Sequence, residues 1–356
     1  MTLREEILEQ PAVADRFLAT QLERVETLAD DLAGTDIDVV LIAARGTSDH
    51  AAIYAQYLFG ALHRLPVALA APSLVSLYGI APRLDRALVL GISQSGRSPD
   101  VVAVLDAARA QGARTVAITN APGSPLARAA ETAIDIDAGP ERATAATKTY
   151  TGQLLAVAAL AAALPVREGT DRTLGGSRDE RVAALTAIPG ALGAALAVEG
   201  EAARLANERR SLDRCTVLGR GFDYATAREW ALKLKELAQV HAESYSTADF
   251  QHGPLALVEP GYPVLAVAPS GVAGADLAAL VRRLREEHEI DALVVSDDPA
   301  IRAVGNDSLE LPAGLPEWLM PIVAIVPGQL FALNLTVARG LDPERPRWIS
   351  KVTETR

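Results

Sequence analysis

Short apolar runs alternate with amphipathic stretches through the first half of the chain. Residues 38–44, 66–71, 86–92, 114–119 and 132–136 are runs of strand length rich in Val, Ile, Leu and Ala. Between and after them, residues 46–63, 101–111 and 148–164 carry helical patterns. Continuous apolar strands separated by helices predict a parallel sheet covered on both faces. Residues 1–34 predict helix, broken near Pro11. Residues 167–180 are polar and Gly-containing and predict a linker, with helix resuming over 181–207.

After the linker the pattern starts again. A strand over 215–218, a turn at Gly219-Arg220-Gly221 and a helix over 224–240 are followed by a strand over 263–267. Then come the turn Pro269-Ser270-Gly271 and a helix over 275–287. Gly46 and Gly221 are 175 residues apart, and so are Gly96 and Gly271. An equal offset at two independent glycine turns marks an internal duplication. The expected organisation is a helical segment (1–34), a first α/β domain (35–166), the linker (167–180), a second α/β domain (181–340) and a tail (341–356).

Composition narrows the class. Nearly half the residues are apolar but only 4% are aromatic, so Ala, Leu and Val build the core. A net charge of −11 with no basic run speaks against nucleic-acid binding. The single cysteine, Cys215, excludes an internal disulfide framework and suits a buried strand in a reducing compartment. Residues 154–166 are taken as the longest apolar run, too short to span a bilayer. The N-terminus carries Glu5, Glu6 and Glu9 without an apolar run, which is not a signal-peptide pattern. No membrane partner and a cytoplasmic location are expected.

The chemistry concentrates in two places. The first is Ser93-Gln94-Ser95-Gly96-Arg97-Ser98, between a buried strand and a helix. Ser93, Ser95 and Ser98 offer hydroxyl donors, Gln94 an amide, Gly96 a backbone that turns tightly, and the helix end its free N–H groups. With no lysine in it, the loop is not a nucleotide P-loop and suits a phosphate monoester held by neutral donors. The same residues would also serve as a helix-capping turn. The second copy reads Ala268-Pro269-Ser270-Gly271 and has lost most of these donors, which assigns the phosphate to the first copy.

The second place lies in the later half. Lys233 and Glu236 share one helical face, a spacing also common in solvated ion pairs. They are followed by a polar stretch from His241 to His252-Gly253-Pro254. His252 is expected on a turn, and His241 on a continuation of the helix with a structural role. A carboxylate and an imidazole near a sugar phosphate are what aldose–ketose chemistry needs: one group opens the ring and one moves a proton between C1 and C2. No tight ligand spacing supports a metal, and no cofactor is expected.

These residues resemble the sugar isomerase (SIS) family, most closely the isomerase half of glucosamine-6-phosphate synthase. The resemblance runs from Glu6-Ile7-Leu8-Glu9-Gln10-Pro11 through Gly46-Thr47-Ser48, Ser93-Gln94-Ser95-Gly96 and Ala145-Ala146-Thr147-Lys148. It continues through Leu232-Lys233-Leu234-Lys235-Glu236 and His252-Gly253-Pro254-Leu255-Ala256-Leu257 to Ser350-Lys351-Val352-Thr353. It implies two tandem SIS domains, each a flavodoxin-like three-layer sandwich. It also implies that Ser93, Gln94, Ser95 and Ser98 bind phosphate while Thr47, Ser48 and Ala146 line the sugar. Glu236 would shuttle the C1/C2 proton, and Lys233 beside it would relay protons. His252 would assist ring opening from the neighbouring subunit of a homodimer. Lys351 would stand where the family has a Schiff-base lysine. Ala146 replaces a serine of the synthase, and Arg45 replaces a small thiol residue. The synthase's glutaminase half and its cysteine nucleophile are not in this sequence, so net synthesis from glutamine is not expected.

The expected substrate is therefore an amino-sugar 6-phosphate. The leading reaction is isomerising deamination of glucosamine 6-phosphate to fructose 6-phosphate and ammonia. Dehydration or deglycation of an amino- or N-acetylamino-sugar 6-phosphate shares its enolisation step. A non-catalytic sugar-phosphate sensor would keep the serine loop but has no need of Lys233, Glu236, His252 and Lys351 together.

Overall fold

The structure, a computed structural model, describes residues 2–165 and 175–351. The greater part of the expected linker (167–174) and the last tail residues (352–356) lie outside the described residues. In chain order α1 (Leu3–Leu8) and α2 (Gln10–Ala33) precede β1 (Val39–Ala43), α3 (Thr47–His63), β2 (Val67–Leu69) and α4 (Pro72–Ser76). Next come β3 (Ala87–Ile92), α5 (Pro99–Arg109), β4 (Arg114–Thr119), α6 (Pro125–Ala129), β5 (Thr132–Asp135) and α7 (Lys148–Ala163). Three helices come after these, α8 (Arg178–Ala184), α9 (Ile188–Ala195) and α10 (Glu199–Glu208). The second series is β6 (Arg214–Gly219), α11 (Tyr224–Ala238), β7 (His241–Ser246), α12 (Thr247–Gln251), β8 (Pro263–Val267) and α13 (Val272–His288). It closes with β9 (Asp291–Ser296), α14 (Pro299–Arg302), β10 (Asp307–Glu310) and α15 (Met320–Ala338).

The chain forms two parallel five-stranded sheets flanked by helices. Their orders, β2-β1-β3-β4-β5 and β7-β6-β8-β9-β10, are the same when the strands of each are counted from its own start. Two compact units contain them. One comprises residues 12–141 and 148–186 with Ser350 and Lys351; the other comprises residues 2–11, 142–147 and 187–349.

In the first of these units every residue of β3 is buried, which explains its unbroken apolar run. Val101, Val104 and Leu105 of α5 and Leu126 of α6 meet Leu41, Val89 and Ala117 of the strands. Each such fully buried Leu or Val contributes about 1.5–3 kcal/mol relative to exposure. α3 and α7 pack on each other and on β1, β3 and β4. All of α7 is buried, so its terminal carbonyls need partners from the protein. Arg181, itself buried, supplies them: Nε donates to the Ala162 carbonyl at 3.2 Å and Nη2 to that of Leu164 at 2.9 Å.

In the other unit Leu277, Val281 and Leu284 of α13 pack on Leu218, Val264, Ala266 and Val294. α11 packs on α15, where Trp230 and Phe331 meet edge to face with ring centroids 5.8 Å apart. Two stretches, Arg178–Glu208 and Glu317–Ala338, are long and apolar enough to cross a membrane by length and composition. In Glu317–Ala338, 89% of the apolar window is buried inside the protein, as in a core helix.

Two local expectations need correction. α8 begins at Arg178, where Ser177 and Glu180 form a capping box, so helix resumes before residue 181. His241 does not continue α11. Gln239 takes a left-handed conformation (φ 55°) and ends that helix, and His241 opens β7. β7 pairs only with β6 and lies at the sheet edge, where polar residues are tolerated. That placement is why His-Ala-Glu-Ser-Tyr-Ser reads as loop.

Arg181→Met should remove these charge-assisted bonds and leave α7 carbonyls orphaned, at a cost of about 2–4 kcal/mol. Urea unfolding measures this directly; stability within experimental error of the wild type would show that water or other groups satisfy the helix end.

Candidate functional site

In the first unit β1 and β3 are neighbours, and their following connections leave in opposite directions to β2 and β4. Such a switch point opens a crevice at the carboxyl ends of the strands. The loop after β1 carries Arg45, Gly46, Thr47 and Ser48; the loop after β3 carries residues 93–98. The serine loop is pinned along its length. The Ser93 N–H donates to the Ile118 carbonyl at 3.1 Å, and the Gln94 carbonyl accepts from Asn120 N–H at 3.1 Å. Gly96 adopts φ 60° and faces Ser124 so closely that an added Cβ would lie 2.0 Å from its Oγ, so only glycine fits there.

What the loop leaves unspent is donors. Ser98 caps α5 by position, yet its hydroxyl makes no cap bond. Ser95 Oγ only accepts a long contact of 3.4 Å from Arg97 N–H. Ser93 is buried and its Oγ accepts from Gly96 N–H at 3.2 Å. Ser48, also buried, accepts from Gln153 at 2.9 Å, and Thr47 begins α3. Arg45 joins the two loops: its Nε and Nη2 each lie 2.7 Å from the buried Asp100 carboxylate in the first turn of α5. This guanidinium was legible only as a departure from the family pattern. Its ion pair neutralises an acid that would otherwise repel an anion.

Lys351 reaches the same unit. Its Nζ donates to Glu141 Oε2 at 2.5 Å, and Glu141 also accepts from the Thr149 N–H at 3.1 Å and hydroxyl at 2.7 Å. Glu141 was not among the expected residues. It is fully buried 210 positions from Lys351, beyond any local pattern.

In the second unit α11 presents Glu229, Lys233 and Glu236 on one stripe. Lys233 has no exposure; its Nζ lies 2.5 Å from Glu236 Oε2 and 3.2 Å from Glu229 Oε1. Burial pushes the ammonium pKa down, but the two carboxylates outweigh it and hold the net value above the ordinary one. Lys233 is therefore a fixed cation at neutral pH and not a base. Glu236 keeps 23% exposure, so it is the member of the trio open to a ligand. Glu229 was missed, although its place four residues before Lys233 is a legible ion-pair spacing.

His252 ends the short helix α12 and is exposed, its N–H donating to the Asp249 carbonyl at 3.1 Å. Ala146 is half-buried in the segment 142–147, whose Arg142 and Ala143 N–H groups donate to the buried Glu6 carboxylate. Its methyl makes no hydrogen bond to a sugar. Cys215 lies in β6, where burial pushes its thiol up to about 12, so it is no nucleophile. Among the described residues no three His, Cys, Asp or Glu side chains gather to hold a metal.

The model of the SIS domain matches residues 35–163 and again 210–339. The chain belongs to the SIS domain family. Among curated SIS relatives, the glutamine–fructose-6-phosphate aminotransferase (isomerizing) of Pyrococcus horikoshii is 34% identical over 350 residues. That match covers 98% of this chain and 56% of the relative, so the chain spans little more than half its length. Among solved structures, a protein of Silicibacter pomeroyi assigned as a phosphosugar isomerase is 36% identical, with a TM-score of 0.83 over 96% of this chain and all of that one. The C-terminal domain of glucosamine-fructose-6-phosphate aminotransferase from Francisella tularensis is 26% identical, with a TM-score of 0.84, covering 97% of this chain and 98% of that one.

At the 175-residue offset the second SIS segment carries Asp223 where the first has Ser48. Burial pushes the Asp223 carboxyl well above the carboxylate range, and the nearby Glu317 and Asp297 act the same way. A raised carboxyl pKa means that the folded state holds a proton the unfolded chain releases. Its stabilising share is full below the unfolded value of about 3.9 and is lost as pH rises through the folded value. Asp223→Asn should therefore raise the melting temperature at pH 8 and give a smaller gain at pH 5. An equal gain at both pH values would contradict the raised pKa.

Proposed function

We propose that the chain is an aldose–ketose isomerase-type enzyme acting on an amino-sugar 6-phosphate, and that it converts glucosamine 6-phosphate to fructose 6-phosphate and ammonia. The observation that carries the reading is the trio on α11. A lysine fixed as a cation by a buried Glu229 stands against a partly exposed Glu236, leaving one carboxylate to move a proton. A sugar-phosphate sensor would have no use for a buried ammonium in that place. SIS membership and the relatives' sugar-phosphate names support the substrate class.

In this reading Ser93, Gln94, Ser95 and Ser98 hold the phosphate, while Thr47 and Ser48 line the sugar. His252 assists ring opening, and the open-chain sugar presents a C1 aldehyde beside the C2 amine. Glu236 takes the C2 proton and the electron pair forms an enolamine across C1 and C2. The proton returns at C1, O1 gains a proton and the nitrogen gives one up, so the atoms balance with a primary alcohol at C1 and an imine at C2. Water adds to the imine and ammonia leaves. Lys233 stabilises the charge developing at the sugar oxygens, and Lys351 lies at the family's Schiff-base position for the ketose. No redox change occurs and no cofactor enters.

Glucosamine 6-phosphate and its N-acetyl form, each incubated with the protein, should separate the reactions by product mass. Fructose 6-phosphate with one equivalent of ammonia is expected from the first. A product lighter by one water would make the enzyme a dehydratase, and turnover only of an amino-acid conjugate would make it a deglycase. Glu236→Gln preserves shape and removes basicity, so turnover should fall by about 10²–10⁴-fold. Ser95→Ala should weaken binding of the phosphosugar by about ten- to a hundredfold. Unphosphorylated glucosamine turned over as fast as its phosphate would leave the loop as a helix cap.

The family position of His252 completes a neighbour's site, so the proposed enzyme is a homodimer. Mixing Glu236→Gln subunits with His252→Ala subunits should restore part of the activity, because one hybrid site keeps both groups. No recovery despite demonstrated subunit exchange would refute the shared site.

A further inference from the structure

The loop after β8 repeats the serine loop of the first unit, and the chain's own carboxylates sit on its donors. At the 175-residue offset Ser95 corresponds to Ser270, Gly96 to Gly271 and Ser98 to Ala273. In the first unit the Ser95 and Ser98 donors are unspent. In the second, the Ser270 N–H and hydroxyl both donate to the Asp297 carboxylate, each at 2.6 Å. The Ala273 N–H donates to Glu317 Oε1 at 3.3 Å, inside the first turn of the 17-residue helix α13. The Glu317 carboxylate lies directly over Gly271, where an added Cβ would come within 2.5 Å of it.

The frame around the two loops is also duplicated. Arg45 holds Asp100 in the first unit; Arg220, at the same offset, lies 3.3 Å from Asp276 in the opening turns of α13. The two units differ at the end of the next strand. After β4 stands Asn120, whose side chain turns away to the Ala138 N–H at 2.8 Å and the Gly139 carbonyl at 2.7 Å. After β9 stands Asp297, which folds onto Ser270 instead. A carboxylate carries the charge and acceptor oxygens that a phosphate would bring to a helix N-terminus. Asp223, replacing Ser48, adds a third acid to the surroundings.

We propose that the second unit retains part of an anion seat, the Ser270 N–H and hydroxyl and the Ala273 N–H, that Asp297 and Glu317 keep stoppered, so that each chain has one open seat and one closed one. This inference rests on reading the serine loop of the first unit as a phosphate seat. The side-chain donors of Ser93, Gln94 and Ser98 have no counterpart in the second copy; the Ser270 and Ala273 groups remain and are occupied.

Inorganic phosphate, titrated calorimetrically into the full-length chain, tests the proposal. The wild type should bind one phosphate per chain, and Ser95→Ala should abolish or strongly weaken that binding. In the Ser95→Ala background, Asp297→Asn with Glu317→Ala should regain phosphate binding, about tenfold or more tighter than Ser95→Ala alone. Asp297→Asn by itself, the residue type the first unit carries at that place, is the conservative version for use should the larger change unfold the protein. A folded variant that gains nothing overturns the proposal, and so does a wild type that binds a second phosphate insensitive to Ser95→Ala. Wild-type protein that binds no phosphate through Ser95 would sink the reading of the serine loop instead, while the gain in the Asp297 variants is read independently of it.

Discussion

An ammonium with no exposure to water has to be paired, and the chemistry proposed for the second unit depends on the pairing of Lys233. Two carboxylates on its own helix satisfy it, one buried and one partly open. Removing one partner of such a buried group costs about 3–5 kcal/mol, so the charges are locked in place. The lock has a chemical consequence. Lys233 does not lose its proton near neutrality, so the proposed proton transfer falls to the partly exposed carboxylate of Glu236. Trp230 of the same helix packs edge to face against Phe331 of α15 and anchors α11 on that helix.

The duplicated frame explains how one chain could keep the proposed phosphate seat and the proposed proton-transfer helix without either compromising the other. Both sheets have the same strand order, and both place a glycine turn after each of the two strands at the switch point. In the first unit those turns carry hydroxyls and N–H groups, and the buried acid at the start of α5, Asp100, is neutralised by Arg45. In the second, acids have replaced neutral residues around the corresponding turns. That unit's functional groups come instead from α11 and from the segment after β7. Divergence has acted on side chains at strand ends while the central strands β1, β3, β6 and β8, largely buried, stayed mostly apolar.

The parts legible in sequence are those governed by short-range rules. Apolar strand runs, helical periodicity and the glycine offset all depend on neighbours within a turn or a strand, and the first sheet and strands β6 and β8 of the second follow from them, while β9 and β10 were not read. The serine loop and the Lys233–Glu236 spacing were legible for the same reason. β7 was not, because an edge strand with one neighbour tolerates a polar sequence that reads as loop. Glu141 was hidden because its partner Lys351 is remote in the chain. Arg45 stood out only as an odd residue, since Asp100 enters through a second strand–helix turn. The loss of most donors from the second copy was legible, but sequence does not show that the remaining Ser270 and Ala273 donors are occupied by Asp297 and Glu317.

The central claim is that Glu236 carries a proton between C2 and C1 of an open-chain amino-sugar phosphate. Its most direct test is hydrogen exchange in D2O, following deuterium at C2 of recovered glucosamine 6-phosphate and at C1 of the fructose 6-phosphate formed. The account predicts solvent deuterium at these carbons with the wild type and none, over the same time, with Glu236→Gln that still binds the phosphosugar. Equal labelling by the two proteins would contradict it and move the base to another group.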